Sequence, residues 1–274
     1  MNSSSKRRAF VDTTVLTDIT LKAGEPRDRA KSALAGFAET LLPAYAIKEF
    51  QIGPLGNYGW IHNVFANEQS YSRAIQRVHG VSRTPQRYLV STSLEAIAVA
   101  SHAALGAIDA ESARAKYGPG TSLDSLAATE VRLNLRTLIL RAWRKRRRIT
   151  TAIVDELSCY NETDPIEQRG LIVISRLPCS ESCSLARLFR QRPRDVRALM
   201  ATAKAQGDRR EHQKRYQALR ALGRTARPLD QKQCRALGDA VFAFFAPADA
   251  TILTTNLRDH QPLAEALGKS VAAP

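Results

Sequence analysis

After a polar and basic start the chain runs Ala9-Phe10-Val11, a short apolar stretch that stops at Asp12 and continues Thr13-Thr14-Val15-Leu16. This pattern predicts a buried strand leading into a turn and a helix. From Arg27 to Leu42 the apolar residues Ala30, Leu34, Phe37, Ala38 and Leu41 recur at helical spacing, and Pro43 is expected to end that helix. Ala44 to Ile47 reads either as a short strand or as the start of a helix. The glycines and proline of Gly53-Pro54-Leu55-Gly56-Asn57-Tyr58-Gly59 read as a loop.

From Tyr71 to Arg148 the periodicity is mainly helical, clearest over Leu89 to Ile108 and Leu123 to Trp143. Ile149 to Cys159 and Leu171 to Leu177 are richer in β-branched residues and are expected to pair as strands. Helical spacing returns from Leu185 to Leu222. Asp230 is placed to cap a helix running to about Phe245; Ala250 to Thr254 then reads as a strand and Pro262 to Leu267 as a last short helix. The two ends therefore describe an α/β layer, discontinuous in sequence: residues 1–65 and 225–274 form the expected core, and 66–224 a mainly helical insertion.

A chain of 274 residues, 44% hydrophobic, can bury a substantial core, which excludes a disordered tail or a small disulfide scaffold. The longest apolar runs, Leu94 to Leu105 and Ala240 to Ala248, fall short of the roughly 20 residues of a membrane span, so no membrane partner is expected. Without an apolar signal region near the start, a cytoplasmic location is the expectation. Cys159, Cys179, Cys183 and Cys234 then read as reduced thiols, and their spacing is a poor match to a zinc ribbon.

The charge changes the picture more. Of the net +15, about +14 lies between Arg132 and Arg227, where 23 Lys and Arg face 9 Asp and Glu. The basic field belongs to the middle of the chain, and it points to a polyanion such as a nucleic-acid backbone. Its densest part is Arg144-Lys145-Arg146-Arg147-Arg148, five consecutive cations where a helix end would need fewer. Arg209, Arg210, Lys214 and Arg215 form a second cluster, in which His212 reads as a bystander.

Against this field stand a few carboxylates in apolar settings. Asp12 ends the first strand, and the carboxyl ends of strands are where open α/β sheets place ligands. Asp239 interrupts the apolar run Leu237-Gly238-Asp239-Ala240-Val241-Phe242, a costly position unless the acid is paired, exposed or metal-bound. Asp12 could instead serve as a helix cap, and Glu49 beside Lys48 as a surface residue. Asp249 reads as a turn residue.

Taken together, these residues resemble the PIN-domain family. The resemblance rests on Phe10-Val11-Asp12-Thr13-Thr14-Val15-Leu16, Glu49, Gly238-Asp239-Ala240, and Ile252-Leu253-Thr254-Thr255-Asn256-Leu257-Arg258-Asp259 followed by Pro262-Leu263-Ala264. It implies a Rossmann-like three-layer core with a mainly parallel central sheet. It also implies a metal-dependent endoribonuclease in which Asp12, Glu49 and Asp239 hold Mg²⁺ or Mn²⁺, Asp259 supplies a further acid, and Thr254 and Asn256 support the site. Asn256 stands where many members carry an acid, which leaves the number of metal ions open. The rivals are an inactive PIN-like nucleic-acid-binding protein, and a toxin or antiviral nuclease held in check by a partner; the partners expected besides RNA are an inhibitory protein or a second copy of the chain.

Overall fold

The computed structural model describes residues 7–81, 89–105, 122–154, 163–174, 184–207, 209–224 and 229–274, together with Ala115, Gly118 and Leu157. Cys159, Cys179 and Cys183 lie outside these residues, as do the ends of the expected strands beyond Val154 and Ile174. Cys234 is buried.

Five strands form one sheet: β1 (Arg8–Val11), β2 (Glu39–Pro43), β3 (Ala152–Val154), β6 (Ala250–Leu253) and β7 (Ser270–Ala272). Their spatial order is β3-β2-β1-β6-β7, and every pairing is parallel. The chain is therefore α/β, with a parallel central sheet flanked by helices. Side chains alternate along the central strand, so Ala9 and Val11 enter one hydrophobic core and Phe10 the other. Burying Phe10 completely contributes about 2 kcal/mol.

On the Val11 side pack α1 (Thr13–Thr20), α2 (Glu25–Ala35), α3 (Ala44–Phe50), α4 (Gly56–Glu68), α5 (Tyr71–Gly80), α6 (Leu89–Leu105) and the long α7 (Leu123–Ile149). On the Phe10 side pack α8 (Ser184–Gln191), α9 (Pro193–Ala205), α10 (Arg210–Arg224), α11 (Gln231–Phe245) and α12 (Leu257–Glu265). Asp230 caps α11 as expected, its carboxylate accepting from Gln233 N while the Gln233 side chain accepts from Asp230 N.

Several expectations are corrected. The helix expected to reach Leu42 ends at Ala35, and Leu41 and Leu42 lie in β2. Pairing with β1 outweighs the helical phase that Leu41 shares with Ala30 and Leu34. The glycine-rich stretch is helix rather than loop: a π turn (Gln51–Leu55) carries Pro54 and runs directly into α4. The wider π pattern accommodates a residue that has no N–H to give. Gly59 is there for close packing, since a Cβ would sit 3.1 Å from Ile174 Cδ1. β3 and β5 (Leu171–Val173) do not pair with each other; β5 forms an antiparallel hairpin with β4 (Ile166–Gln168), while β3 joins β2. A strand from within the expected insertion thus completes the central sheet. The last helix starts earlier than expected, at Leu257, and β7 follows it without a sequence signal.

One amide on α4 binds the backbone of the hairpin. Asn63 Oδ1 accepts from Ile172 N at 2.8 Å and its Nδ2 donates to Ile172 O at 2.9 Å. Ile172 is itself buried. Asn63→Ala should leave both backbone groups without partners and cost about 1–3 kcal/mol in urea denaturation. Unchanged stability would show that the hairpin is docked by its apolar side chains alone.

Candidate active site

The sheet grows outward from β1 through β2 to β3, then restarts on the other side of β1 with β6 and β7. The connections leaving β1 and β6 pass to opposite faces of the sheet at this point, the switch point at which open parallel sheets offer a ligand crevice, at the carboxyl ends of the two strands. Asp12 follows β1 there. It is the N-cap of α1, buried, with Oδ1 accepting from Thr13 N at 2.6 Å. Its Oδ2 accepts from Thr14 Oγ1 and from Thr254 Oγ1, each at 2.7 Å. Thr254 follows β6, is fully buried, and also accepts from Asn256 N at 3.0 Å. The capping role and the crevice position belong to the same carboxylate.

β2 delivers the second acid. α3 starts directly after it, and Tyr45 and Glu49, four residues apart, share one helical face. Thr13 Oγ1 donates to Glu49 Oε2 at 2.9 Å, and the Tyr45 hydroxyl lies against both the Glu49 carboxyl group and the Cys234 carbonyl. Burial, reinforced by the nearby charges of Asp12 and Asp239, pushes the Glu49 pKa up to about 7, against the Thr13 and Tyr45 hydrogen bonds. A neutral Glu49 can donate to Tyr45 while Tyr45 donates to Cys234.

The third acid comes from α11, whose backbone leaves helical geometry at Gly238 (φ 18°, ψ −100°) immediately before Asp239. His260, on α12, places Nε2 3.2 Å from Asp239 Oδ1 and 3.6 Å from Asp12 Oδ2. The His260 ring meets Phe242 edge-on, with centroids 5.4 Å apart. Arg215, on α10, donates through Nη2 to Asp239 Oδ2. Burial works against ionising Asp239, but the hydrogen bond and charge of His260, followed by Arg215 and His212, outweigh it and hold the carboxyl below its ordinary range. Burial likewise opposes a charged His260, and Asp239 together with Asp12 overcomes it, raising the imidazole pKa.

Asp259 lies beside this group. It accepts from Asn256 Nδ2 at 3.0 Å and faces His212 Nε2 at 3.4 Å. Burial raises its pKa, but these two hydrogen bonds lower it further, so the net shift is downward. His212 is buried, with Nδ1 3.1 Å from the Gln206 carbonyl, and is a member of the site rather than a bystander.

The structure thus gathers Asp12, Glu49, Asp239, Asp259, Thr254 and Asn256 at one crevice. It does not draw them into a closed ligand set. Among the described residues, no group of three or more His, Cys, Asp or Glu side chains is arranged to hold a metal ion. His260 and Arg215 stand among the carboxylates instead. Sequence reasoning missed His260, His212, Tyr45 and the inward role of Arg215. One signal was present: His212, Arg215, Leu219 and Leu222 recur at helical spacing, a stripe that Leu219 and Leu222 mark as buried.

The basic residues separate into two groups. Arg144, Arg147, Arg148, Arg209, Arg210 and Lys214 are exposed. Arg146 is buried, its guanidinium 4.3 Å from the centre of the Trp143 ring, and Arg215 is buried on Asp239. Lys145 Nζ donates to the Ile19 carbonyl at 2.6 Å, and Arg147 pairs with Asp164 at 2.7 Å. Within the run 144–148, Arg146 is turned inward and Arg144, Arg147 and Arg148 face solvent, because a helix packed on one side turns part of any consecutive run inward. Among the described residues no helix is long and apolar enough to cross a membrane. No family model, curated protein or solved structure matches this chain.

Two stability predictions follow from the charge balance. The raised Glu49 pKa means that its contribution is fully present below about pH 4.5, the ordinary glutamate value, and is lost as pH rises through about 7. Glu49→Gln should therefore match the wild type at pH 4 and exceed it by about 1–3 kcal/mol at pH 8, in denaturation with chelator present. A variant less stable at pH 8 would mean that the ionised form is the favoured partner. Asp239 has the opposite sign: its depressed pKa stabilises above the ordinary carboxylate range and the benefit fades on acidification. Asp239→Asn should lose about 1–3 kcal/mol at pH 7, because Arg215 and His260 are left without their acid, and progressively less as pH falls below the ordinary carboxylate range. An equal loss throughout the acidification would point to packing instead of charge.

Proposed function

We propose that this chain is a metal-dependent endoribonuclease of PIN-like design. The observation that carries the reading is the meeting of Asp12, Glu49 and Asp239, from both ends of the sequence, at the switch-point crevice, close enough that Glu49 feels the charges of the other two. The parallel order β3-β2-β1-β6-β7 and the Thr254–Asp12 hydrogen bond support it.

The donor chemistry fits a hard divalent cation: Asp12, Glu49 and Asp239 offer oxygen, and a Glu49 that resists ionisation beside two other acids is a group that a cation would stabilise. These three residues would hold Mg²⁺ or Mn²⁺, which supplies an acidified water and neutralises developing charge on a phosphodiester. Thr13, Thr14 and Thr254 hold the Asp12 and Glu49 oxygens in place before any ligand arrives. Asn256 and His212 orient Asp259 at the margin. The exposed Arg209, Arg210 and Lys214 extend a positive surface along α10 for an RNA backbone.

A second reading has its own observation. His260 and Arg215 already neutralise Asp239, which favours an inactive protein that binds nucleic acid without cutting it. One experiment separates the two. Wild-type protein should show a Mn²⁺-dependent rise in Tm and cleave single-stranded RNA, and Asp12→Asn should lower the rate by roughly 100-fold or more while retaining RNA binding. RNA binding with neither the Tm response nor cleavage would establish the inactive reading.

A further inference from the structure

We propose that Arg215 grips the phosphate group of the substrate at the acidic crevice, and that α10 is the element that lays the RNA backbone across it. The inference rests on the ribonuclease reading and assigns the group that receives the anion there.

Arg215 is 5% exposed, yet among the described residues its Nε and Nη1 find no acceptor, while Nη2 is engaged on Asp239. Buried guanidinium N–H groups without acceptors are an expensive arrangement, and one that a further anionic oxygen relieves. The position suits such a ligand. Asp239 keeps 22% of its side chain exposed, as does Asp259, so solvent reaches the acid that Arg215 holds. A phosphodiester entering a group of carboxylates is repelled by them, and a fixed cation that the carboxylates themselves hold in place offsets this repulsion. Guanidinium is suited to phosphate because its planar donors address several oxygens from one rigid group, whereas an ammonium acts as a point charge.

The rest of α10 agrees. His212 and Arg215 turn inward to Asp259 and Asp239, while Arg209 at its start, Arg210 and Lys214 stay exposed. One helix therefore carries a buried cation at the acids and solvent-facing cations beside it. A single strand following the exposed cations would bring one of its phosphates to Arg215, and base identity would play no part, as no aromatic or amide side chain is needed for that contact.

The test uses the whole chain, with Arg215→Lys as the principal variant because it keeps the charge beside Asp239 but replaces the planar fork of donors by a single ammonium. Labelled single-stranded RNA, titrated in EDTA and followed by anisotropy, should bind roughly 5- to 10-fold more weakly to the variant, with an unchanged salt slope because no charge is lost. At saturating Mn²⁺ its single-turnover cleavage should fall by roughly 100-fold. Affinity and cleavage both at wild-type levels, with tighter Mn²⁺ binding, would overturn the proposal and leave Arg215 as the counter-ion of Asp239. Should Arg215→Lys fail to fold, the wild type decides: the Nε–H resonance of Arg215 should shift when a dinucleoside monophosphate is added in EDTA, and an unmoved resonance overturns the grip. A wild type that binds RNA but never cleaves it defeats the ribonuclease reading, while the EDTA binding comparison still judges Arg215.

Discussion

The two oxygens of Asp12 hold together the part of the molecule on which the rest depends. Oδ1 receives the first N–H of α1, and Oδ2 receives hydroxyl groups from α1 and from the residue that follows β6. The bond to Thr254 spans nearly the whole sequence and closes the sheet between the two adjacent strands that lead into opposite halves of the fold. A carboxylate is the right group for this task because it is an acceptor with several lone pairs and no donor, so every neighbouring hydroxyl can turn its proton inward. The same property makes it a candidate ligand. The fold uses Asp12 to align its elements at the place where a ligand would be bound.

Gathering acids at one crevice creates a second constraint, which the chain meets from within. Like charges at short range in a partly dry site cannot all remain ionised without compensation. The compensation is divided between a proton and two side chains. Glu49, with hydroxyl partners and no cation of its own, resists ionisation, whereas Asp239, with His260 and Arg215, is kept ionised. The three acids expected to act alike are thus electrostatically distinct, and the difference arises from α10 and α12, elements remote in sequence from Asp12. Asp239 is thus held by its partners more strongly than it is opposed by burial. Its loss exposes the cost of the cations gathered around it.

How much of this could be read from the sequence depended on whether the deciding interaction was local. The strand ending at Asp12 was legible because a short apolar run stops abruptly at an acid. α11 was legible because Asp230 and Gln233 cap each other within one turn. β2 was hidden, since Leu41 lies in phase with the preceding helix and only its neighbour β1 makes it a strand. The π turn and α4 were hidden for the opposite reason: glycine and proline signal loops locally, whereas here Gly59 allows Ile174 to approach. β7 is three residues long and exists by pairing with β6. Asp12 and Asp239 stand out through their apolar settings, whereas Glu49 and Asp259 rest on the family resemblance alone. His260 carries no such signal, because an ion pair between separate helices leaves no periodicity of its own, whereas Arg215 lies on the buried stripe of α10.

The basic middle shows why net charge alone misjudges a binding surface. A run of five cations suggested five phosphate contacts, but α7 packs along the core and rotates its residues by about 100° each, so a consecutive run must place some of them inside. Arg146 accordingly stacks on Trp143 within the core. Lys145 covers the end of α1, where the Ile19 carbonyl has no helical partner ahead of it, a favourable place for a cation. On α10 the same geometry has a different outcome: the inward cation meets an acid instead of an aromatic ring. The excess positive charge is therefore partly structural and partly a surface field, and what separates the two is the direction each side chain takes from its helix.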